Sequence, residues 1–229
     1  MSNTSGSGTG TGNVTVNGSG TTLGGTGAIS GTVTLGNTTP GAILNAGPSG
    51  ADGTPASVGT LHSGALTLAG ANTFHVDAFG TAPTQWDQVV VAGTGVATLG
   101  TTSSLQLAIA TAGLNFTAGT TYILIDATTI SGSFSNATEG SVVSVNGYNF
   151  TAHYDAGGGN FDLIAIPEPS TWLAGALALG RARVDAETTR AGAAESGGVV
   201  LTTTHAGVMV SLAHELSVIC YQMYLPALS

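Results

Sequence analysis

The chain has 229 residues, of which 36 are Gly, and only 7 % of its residues are charged. It contains no Lys, and its three Arg residues, Arg181, Arg183 and Arg190, all follow residue 180. Because Lys and Arg bind the phosphates of nucleic acids and anionic lipids, residues 1–180 are excluded as a nucleic-acid-binding or electrostatically membrane-bound region.

Residues 1–60 are rich in Gly, Thr, Asn and Ser, with short apolar segments at 14–16, 33–35 and 43–44. Alternation of apolar residues between turn residues predicts short β-strands. The segment after Met1 has neither the basic nor the apolar region of a signal peptide. Since the composition is otherwise that of an exported protein, we expect residues 1–60 to be Gly/Thr-rich β repeats, truncated at the N-terminus.

A five-residue pattern, Gly-x-x-Thr-Leu, begins at Gly31, Gly64 and Gly95, at spacings of 33 and 31 residues. A strand that recurs at a near-constant period of this size is typical of stacked β-coils. In such a fold each rung packs its apolar and Thr residues on those of the next. The pattern therefore predicts a solenoid whose rungs include these three segments.

Further strands are predicted at residues 74–77, 88–91, 105–110, 122–126, 141–145, 148–154 and 161–166. Asn146-Gly147 lies between two of them and indicates a type I′ hairpin. No helical period is present before residue 170. The sequence therefore predicts an all-β protein with a right-handed β-solenoid-like body at residues 61–166, and the alternative is a β-sandwich.

The body is followed by a short motif and an apolar run. The motif is Pro167, Glu168, Pro169, Ser170 and Thr171, and the apolar residues after it are Trp172, Leu173, Ala174, Ala176, Leu177 and Leu179. The two prolines favour an extended exit from the last strand, and Ser170 or Thr171 can cap a helix.

Residues 166–180 resemble the PEP-CTERM sorting domain, which is also catalogued as the ice-binding protein C-terminal domain. Residues 64–166, with their segments 87–93 and 157–163, resemble passenger regions of such proteins and of autotransporters. In the PEP-CTERM family a Pro-Glu-Pro motif precedes a hydrophobic helix and an Arg-rich end, and a membrane exosortase recognises the unit. The resemblance implies that residues 167–171 are the recognition element and that the apolar run at 172–179 is a membrane anchor.

Residues 181–229 differ in composition from the rest of the chain, since they hold every Arg and the sole Cys, Cys220. The apolar run before them is also shorter than the roughly 18–20 residues that a spanning helix needs. We expect this tail to be either an out-of-frame translation of the anchor or an unrelated appended segment. It is predicted to be a short, helical and poorly ordered tail, with one helix candidate at residues 208–224.

No motif with catalytic or metal-binding chemistry is found. The five His residues show no ligand spacing, and the His214-Glu215 pair lacks the second His of a zinc-protease helix. A glycosidase needs two carboxylates about 5–10 Å apart, and nothing in the sequence brings together two of Asp77, Asp87, Asp126, Asp155 and Asp162. We therefore predict no catalytic residue, no cofactor and no metal site.

The expected function is that of a non-enzymatic, exported cell-surface or extracellular-matrix protein. Its expected partners are an exosortase-type sorting enzyme and extracellular polysaccharide, and its oligomeric state is left open. The first alternative is an adhesin or an ice- or glycan-binding solenoid, in which Thr9, Thr11, Thr32 and Thr34 stack into a flat row of hydroxyl groups. The second alternative is a glycoside hydrolase built on a β-helix.

Overall fold

The computed structural model describes residues 2–36, 40–48, 50, 52–93, 95–109, 113–155 and 159–166, all of which belong to one compact unit. Within them the chain forms β-strands and one short 3-10 turn, at Pro83–Gln85. The strands are β1 (Val14–Val16), β2 (Thr22–Gly24), β3 (Ala28–Leu35), β4 (Ile43–Asn45), β5 (Thr60–Leu68), β6 (Thr73–Ala78), β7 (Gln88–Val91), β8 (Val96–Leu99), β9 (Ser104–Ile109), β10 (Thr121–Asp126), β11 (Thr129–Ser131), β12 (Val142–Val145), β13 (Tyr148–Tyr154) and β14 (Asn160–Ile166).

The strands form a β-solenoid of about three turns. In one sheet, β1, β3 and β5 lie side by side in parallel. On its other side, the first half of β5 pairs with β7 and the second half pairs with β8, both in parallel. In the other sheet, β2, β4, β6 and β9 are also parallel neighbours. Each turn of the chain therefore adds a strand to each sheet. The predicted all-β solenoid is confirmed, and the parallel order differs from the antiparallel sheets of a sandwich.

The predicted repeat is the stacking unit of the first sheet. Leu35 is the register partner of Leu68, and Leu68 is the partner of Leu99. Val33 and Leu66, two residues earlier in β3 and β5, are also register partners. These residues are at most 3 % exposed and belong to one hydrophobic core. Like residues therefore stack on like residues inside the solenoid, as the spacing predicted.

The C-terminal end of the first sheet is antiparallel. β10 lies parallel to β7, and beyond it the order β14, β13, β12 continues with antiparallel pairing. The predicted hairpin at Asn146-Gly147 joins β12 to β13, and both residues have positive φ, 49° and 86°, as a type I′ turn requires. This antiparallel group extends the first sheet beyond the last parallel strand of the solenoid.

Aromatic residues concentrate beside this end. Trp86 stacks on Tyr122 with ring centroids 4.2 Å apart, and Phe150 meets Trp86 edge to face at 5.4 Å. Offset and edge-to-face contacts of this kind stabilise a core beyond the apolar area that they bury. The aliphatic rungs and the aromatic end thus form one continuous core.

Two strands, β2 and β11, were not predicted from the sequence. Each has three residues, and neither contains an apolar alternation long enough to be recognised. The expectation that Thr9 and Thr11 join a row on the sheet is wrong. They lie in turns before β1, where the Thr9 hydroxyl donates a hydrogen bond to the Gly12 carbonyl at 3.1 Å.

Candidate functional site

Strand β6 has a buried polar face as well as a core face. Phe74 and Val76 lie in the hydrophobic core, whereas the alternate residues His75 and Asp77 lie on the opposite face. His75 is nevertheless only 8 % exposed and Asp77 only 1 %. They are buried because the connection between β4 and β5, residues 46–59, contacts both side chains.

Two carboxylates fasten this connection to the sheet. Asp77 Oδ1 accepts a hydrogen bond from the Gly53 N–H at 2.8 Å. Asp87 lies just before β7 and is fully buried; its Oδ1 accepts the Gly59 N–H at 2.8 Å, and its Oδ2 accepts the Asp77 N–H at 3.0 Å. Hydrogen bonds to charged acceptors are stronger than neutral ones. The loop is therefore held at its middle and at its end.

A histidine and two carboxylates converge beneath the loop. His75 Nε2 lies 3.4 Å from Asp77 Oδ1 and 3.9 Å from Asp52 Oδ1. One potential ligand atom from each of the three residues lies within 4.8 Å of the other two. Asp52 differs from its neighbours because its side chain is 68 % exposed. The cluster thus has a buried floor and one ligand at the surface.

The electrostatics of the cluster follow from burial and from the lack of basic neighbours. The Asp77 carboxylate raises the pKa of His75 above its ordinary value of 6.5, although burial acts in the opposite direction. Burial acts to raise the pKa of Asp77, but His75 and the Gly53 N–H hold it below 3.8. Burial raises the pKa of Asp87 to about 7. Since residues 1–180 contain no Lys or Arg, His75 is the only side chain of the cluster able to carry positive charge.

A second carboxylate pair lines an open groove near the C-terminal strands. The groove has a volume of about 560 Å³ and includes Glu139 and Asp155 in its lining. Glu139 Oε2 accepts a hydrogen bond from the Tyr154 N–H at 2.6 Å. A glycosidase requires two carboxylates about 5–10 Å apart, and this groove has two acidic residues in its lining.

A continuous row of hydroxyl residues crosses the first sheet. Its members, paired one to the next in register, are Thr15, Thr34, Thr67, Thr98 and Ser131. The flanking positions Val33 and Leu35 are buried, so Thr34 lies on the outer face. Neighbouring strands of a sheet lie about 4.8 Å apart. The row therefore repeats a hydroxyl at that spacing over five strands.

The residues of the predicted sorting motif, Pro167, Glu168, Pro169, Ser170 and Thr171, lie outside the described residues, and so does the apolar run at 172–179. The tail at 181–229, with its helix candidate at 208–224, also lies outside them. Of the helical segments in the described part of the chain, none is long and apolar enough to cross a membrane.

The histidine–carboxylate cluster was not predicted from the sequence. Asp52 precedes His75 by 23 residues, a separation too long for a local ligand motif to reveal. The usable signal was the His75-x-Asp77 step, because residues two apart in a strand share a face. Asp77 and Asp87 were candidates for a carboxylate pair, and the structure brings them into contact through the Asp77 N–H, buried beneath the loop.

No protein-family model, curated protein or solved structure matches this chain.

Proposed function

We propose that the chain is a non-enzymatic, exported cell-surface or extracellular-matrix protein, and that residues 167–171 direct its sorting by a membrane exosortase. The observation that carries the proposal is the order of two parts along the chain. The last strand of the solenoid, β14, ends at Ile166, and the Pro-Glu-Pro sequence starts at the next residue. Processing signals act as segments outside the packed core of a domain, and this motif begins where the last described strand ends.

The composition of the body supports the same proposal. Residues 1–180 carry acidic groups without any Lys or Arg, so their surface has no basic patch with which to bind nucleic acid or anionic lipid. A solenoid of stacked rungs is stabilised by contacts between neighbouring turns and presents extended, regular faces. Such a body suits a surface protein that meets polysaccharide or another repeating material.

The sorting proposal is tested with the full chain placed behind a cleavable secretion signal. It is produced in a bacterial host that carries an exosortase and in the same host without that enzyme. We expect surface-exposed protein only where the exosortase is present, and we expect Glu168→Gln to reduce it at least fivefold. Glu187→Gln is the matched control, because it makes the same chemical change outside the motif. Equal surface exposure with and without the exosortase would rule the proposal out.

The hydroxyl row favours a second candidate, in which the solenoid itself binds ice or a glycan. Five hydroxyl side chains in register form a regular array of donors and acceptors on an outer face. Thr67 is at the centre of this array, and Thr67→Lys replaces its hydroxyl with a long charged side chain. We expect that change to abolish co-sedimentation with an insoluble polysaccharide or partition into ice. Thr121→Lys on β10, which lies outside the row, is expected to leave both unchanged. Unaltered binding by Thr67→Lys would exclude the row as the binding face.

A further inference from the structure

We propose that Asp52, His75 and Asp77 bind a divalent transition-metal ion of the zinc type. The starting observation is an unpartnered nitrogen. The His75 side chain is 90 % buried, and its Nε2 is inaccessible to solvent. This nitrogen nevertheless has no hydrogen-bond partner. Its contact with Asp77 at 3.4 Å lacks hydrogen-bond geometry. A buried polar atom without a partner is costly, and a metal ion between the two groups supplies one.

One distance in the cluster is already that expected between two ligands of a single metal ion. Ligand atoms bound to zinc at 2.0–2.2 Å in a tetrahedral arrangement lie about 3.3–3.6 Å from one another. The separation of His75 Nε2 and Asp77 Oδ1, 3.4 Å, already falls in that range. Asp52 Oδ1 is 3.9 Å from Nε2. Because the Asp52 side chain is largely exposed, metal binding requires only that it turn toward Nε2 without disturbing the core.

Hydrogen bonds from neighbouring groups hold the Asp77 carboxylate in place. Asp77 Oδ1 accepts the Gly53 N–H at 2.8 Å, and Asp77 Oδ2 lies 3.4 Å from Asn45 Nδ2. His75 is the register partner of Asn45 on β4 and of Gln106 on β9, so it lies on a central strand of its sheet. Hydrogen bonds that orient the ligands are a general feature of metal sites. Two of the three ligands therefore come from a rigid strand and the third from the covering loop.

The donor set selects the class of ion. Ca²⁺ and Mg²⁺ prefer sites made of oxygen atoms alone, whereas imidazole suits zinc and its neighbours in the first transition series. One imidazole and two carboxylates match the second group. Three protein ligands leave a position for water, as in zinc sites that are not fully closed. The absence of Lys and Arg from residues 1–180 also leaves the carboxylates without a competing side-chain cation other than His75.

The expected effect of the metal is to fasten the loop at 46–59 to the sheet. Asp52 belongs to the loop and His75 to β6, so one ion joins the two. A ligand that binds only the folded state stabilises it by mass action, in proportion to the logarithm of its concentration. At 100 times its Kd, Zn²⁺ is expected to raise the Tm of the full chain by about 5 °C or more.

The test measures the Tm and the Zn²⁺ affinity of the chelator-treated full chain, with Ca²⁺ as the second ion. All proteins carry Cys220→Ser, because that thiol is an alternative zinc ligand. Asp52→Asn and His75→Gln are expected to weaken Zn²⁺ binding at least tenfold, while the controls Asp126→Asn and His62→Gln keep it. Asp126 and His62 are exposed residues of the same two types, on other strands.

Three results would overturn the metal site: no Zn²⁺ response in the parent chain, an undiminished response in Asp52→Asn, or an equal response to Ca²⁺. If His75→Gln fails to fold, Asp52→Asn decides the matter, because the Asp52 side chain is 68 % exposed and its replacement leaves the core intact. The site is independent of the sorting proposal, and neither result depends on export of the protein.

Discussion

Single polar side chains inside the solenoid replace hydrogen bonds that the strands do not supply. Asn72 is 1 % exposed and lies in the corner between β5 and β6. Its Oδ1 accepts the Ala42 N–H at 3.0 Å, and its Nδ2 donates to the Leu35 and Ala69 carbonyl groups. Buried backbone groups need partners of this kind. The corner is therefore specified by one amide side chain.

We predict that Asn72→Ala lowers the free energy of unfolding by about 3 kcal/mol, since buried groups left without a partner each cost roughly 1–3 kcal/mol. Asn149→Ala is the control, because the Asn149 side chain makes its hydrogen bond to Ser144 at the surface. Its expected cost is below about 1 kcal/mol. Denaturant unfolding of both variants measures the difference, and equal costs would show that the corner does not depend on Asn72.

Asp162 on β14 makes the stability of the body depend on pH. Burial raises the pKa of Asp162, and the contact of its Oδ1 with His153 Nδ1 at 3.3 Å opposes that change only in part. The folded state therefore favours the protonated carboxyl. As pH rises from 3.8 through the raised pKa, the unfolded chain ionises first and the wild type loses stability.

The predicted outcome is that Asp162→Asn gains stability relative to the wild type as pH rises through that window, because the variant has no charge to bury. The free energy of unfolding is measured at several pH values between 3 and 7. Asp126→Asn is the control with an exposed carboxyl. A difference between wild type and Asp162→Asn that does not change with pH would contradict the assigned cause.

At the scale of elements, the Gly of the repeat is required by the distance between rungs. A Cβ on Gly64 would overlap the Ser30 carbonyl oxygen, and one on Gly95 would overlap the Gly64 carbonyl oxygen. Gly31 has the same relation to the Gly12 carbonyl. None of the three repeat glycines has a positive φ. The pattern therefore keeps Gly because successive turns approach closely, and not because of a turn conformation.

We expect Gly64→Ala to destabilise the protein by about 2 kcal/mol, since an added methyl group in a closely packed position typically costs 1–3 kcal/mol. Gly12→Ala is the matched control, because its Cβ would meet only the Thr9 carbonyl oxygen, at 3.2 Å. Thermal unfolding of the two variants gives the comparison. If both changes have the same small effect, close approach between rungs is not what fixes the repeat.

The repeat shows which elements a sequence can specify. The Gly31, Gly64 and Gly95 segments were recognisable because stacking places the same chemical demand on each turn, and the strands at Gln88–Val91 and Tyr148–Tyr154 were recognisable from their apolar alternation. β2 and β11 were missed because three residues carry too little pattern. Short strands are held by their neighbours in the sheet rather than by their own sequence.

The candidate site could not be predicted from the sequence, for a different reason. Asp52 comes to His75 only because the connection at 46–59 folds back over β6, held there by Asp77 and Asp87. That path depends on hydrogen bonds between a loop and buried carboxylates, which have no local sequence period. The His75-x-Asp77 step was visible, but its burial was not. A site formed where a loop folds over a strand therefore cannot be predicted from sequence periodicity.

For the molecule as a whole, two parts of the chain are proposed to have different functions. The solenoid has a hydroxyl row on one face and a histidine–carboxylate cluster beneath a loop. The sequence that follows Ile166 is proposed to determine where that body is delivered. The two assignments are separable, because the strands and the loop that carry the hydroxyl row and the cluster all precede residue 167.

The sorting motif is tested most directly by the mass of the surface-released protein, obtained from the full chain exported in an exosortase-containing host. We predict a form that contains the whole solenoid through Ile166 and ends within or just after residues 167–171. Release of a chain that still carries residues 181–229, or no release at all, would contradict the claim that this motif directs processing by an exosortase.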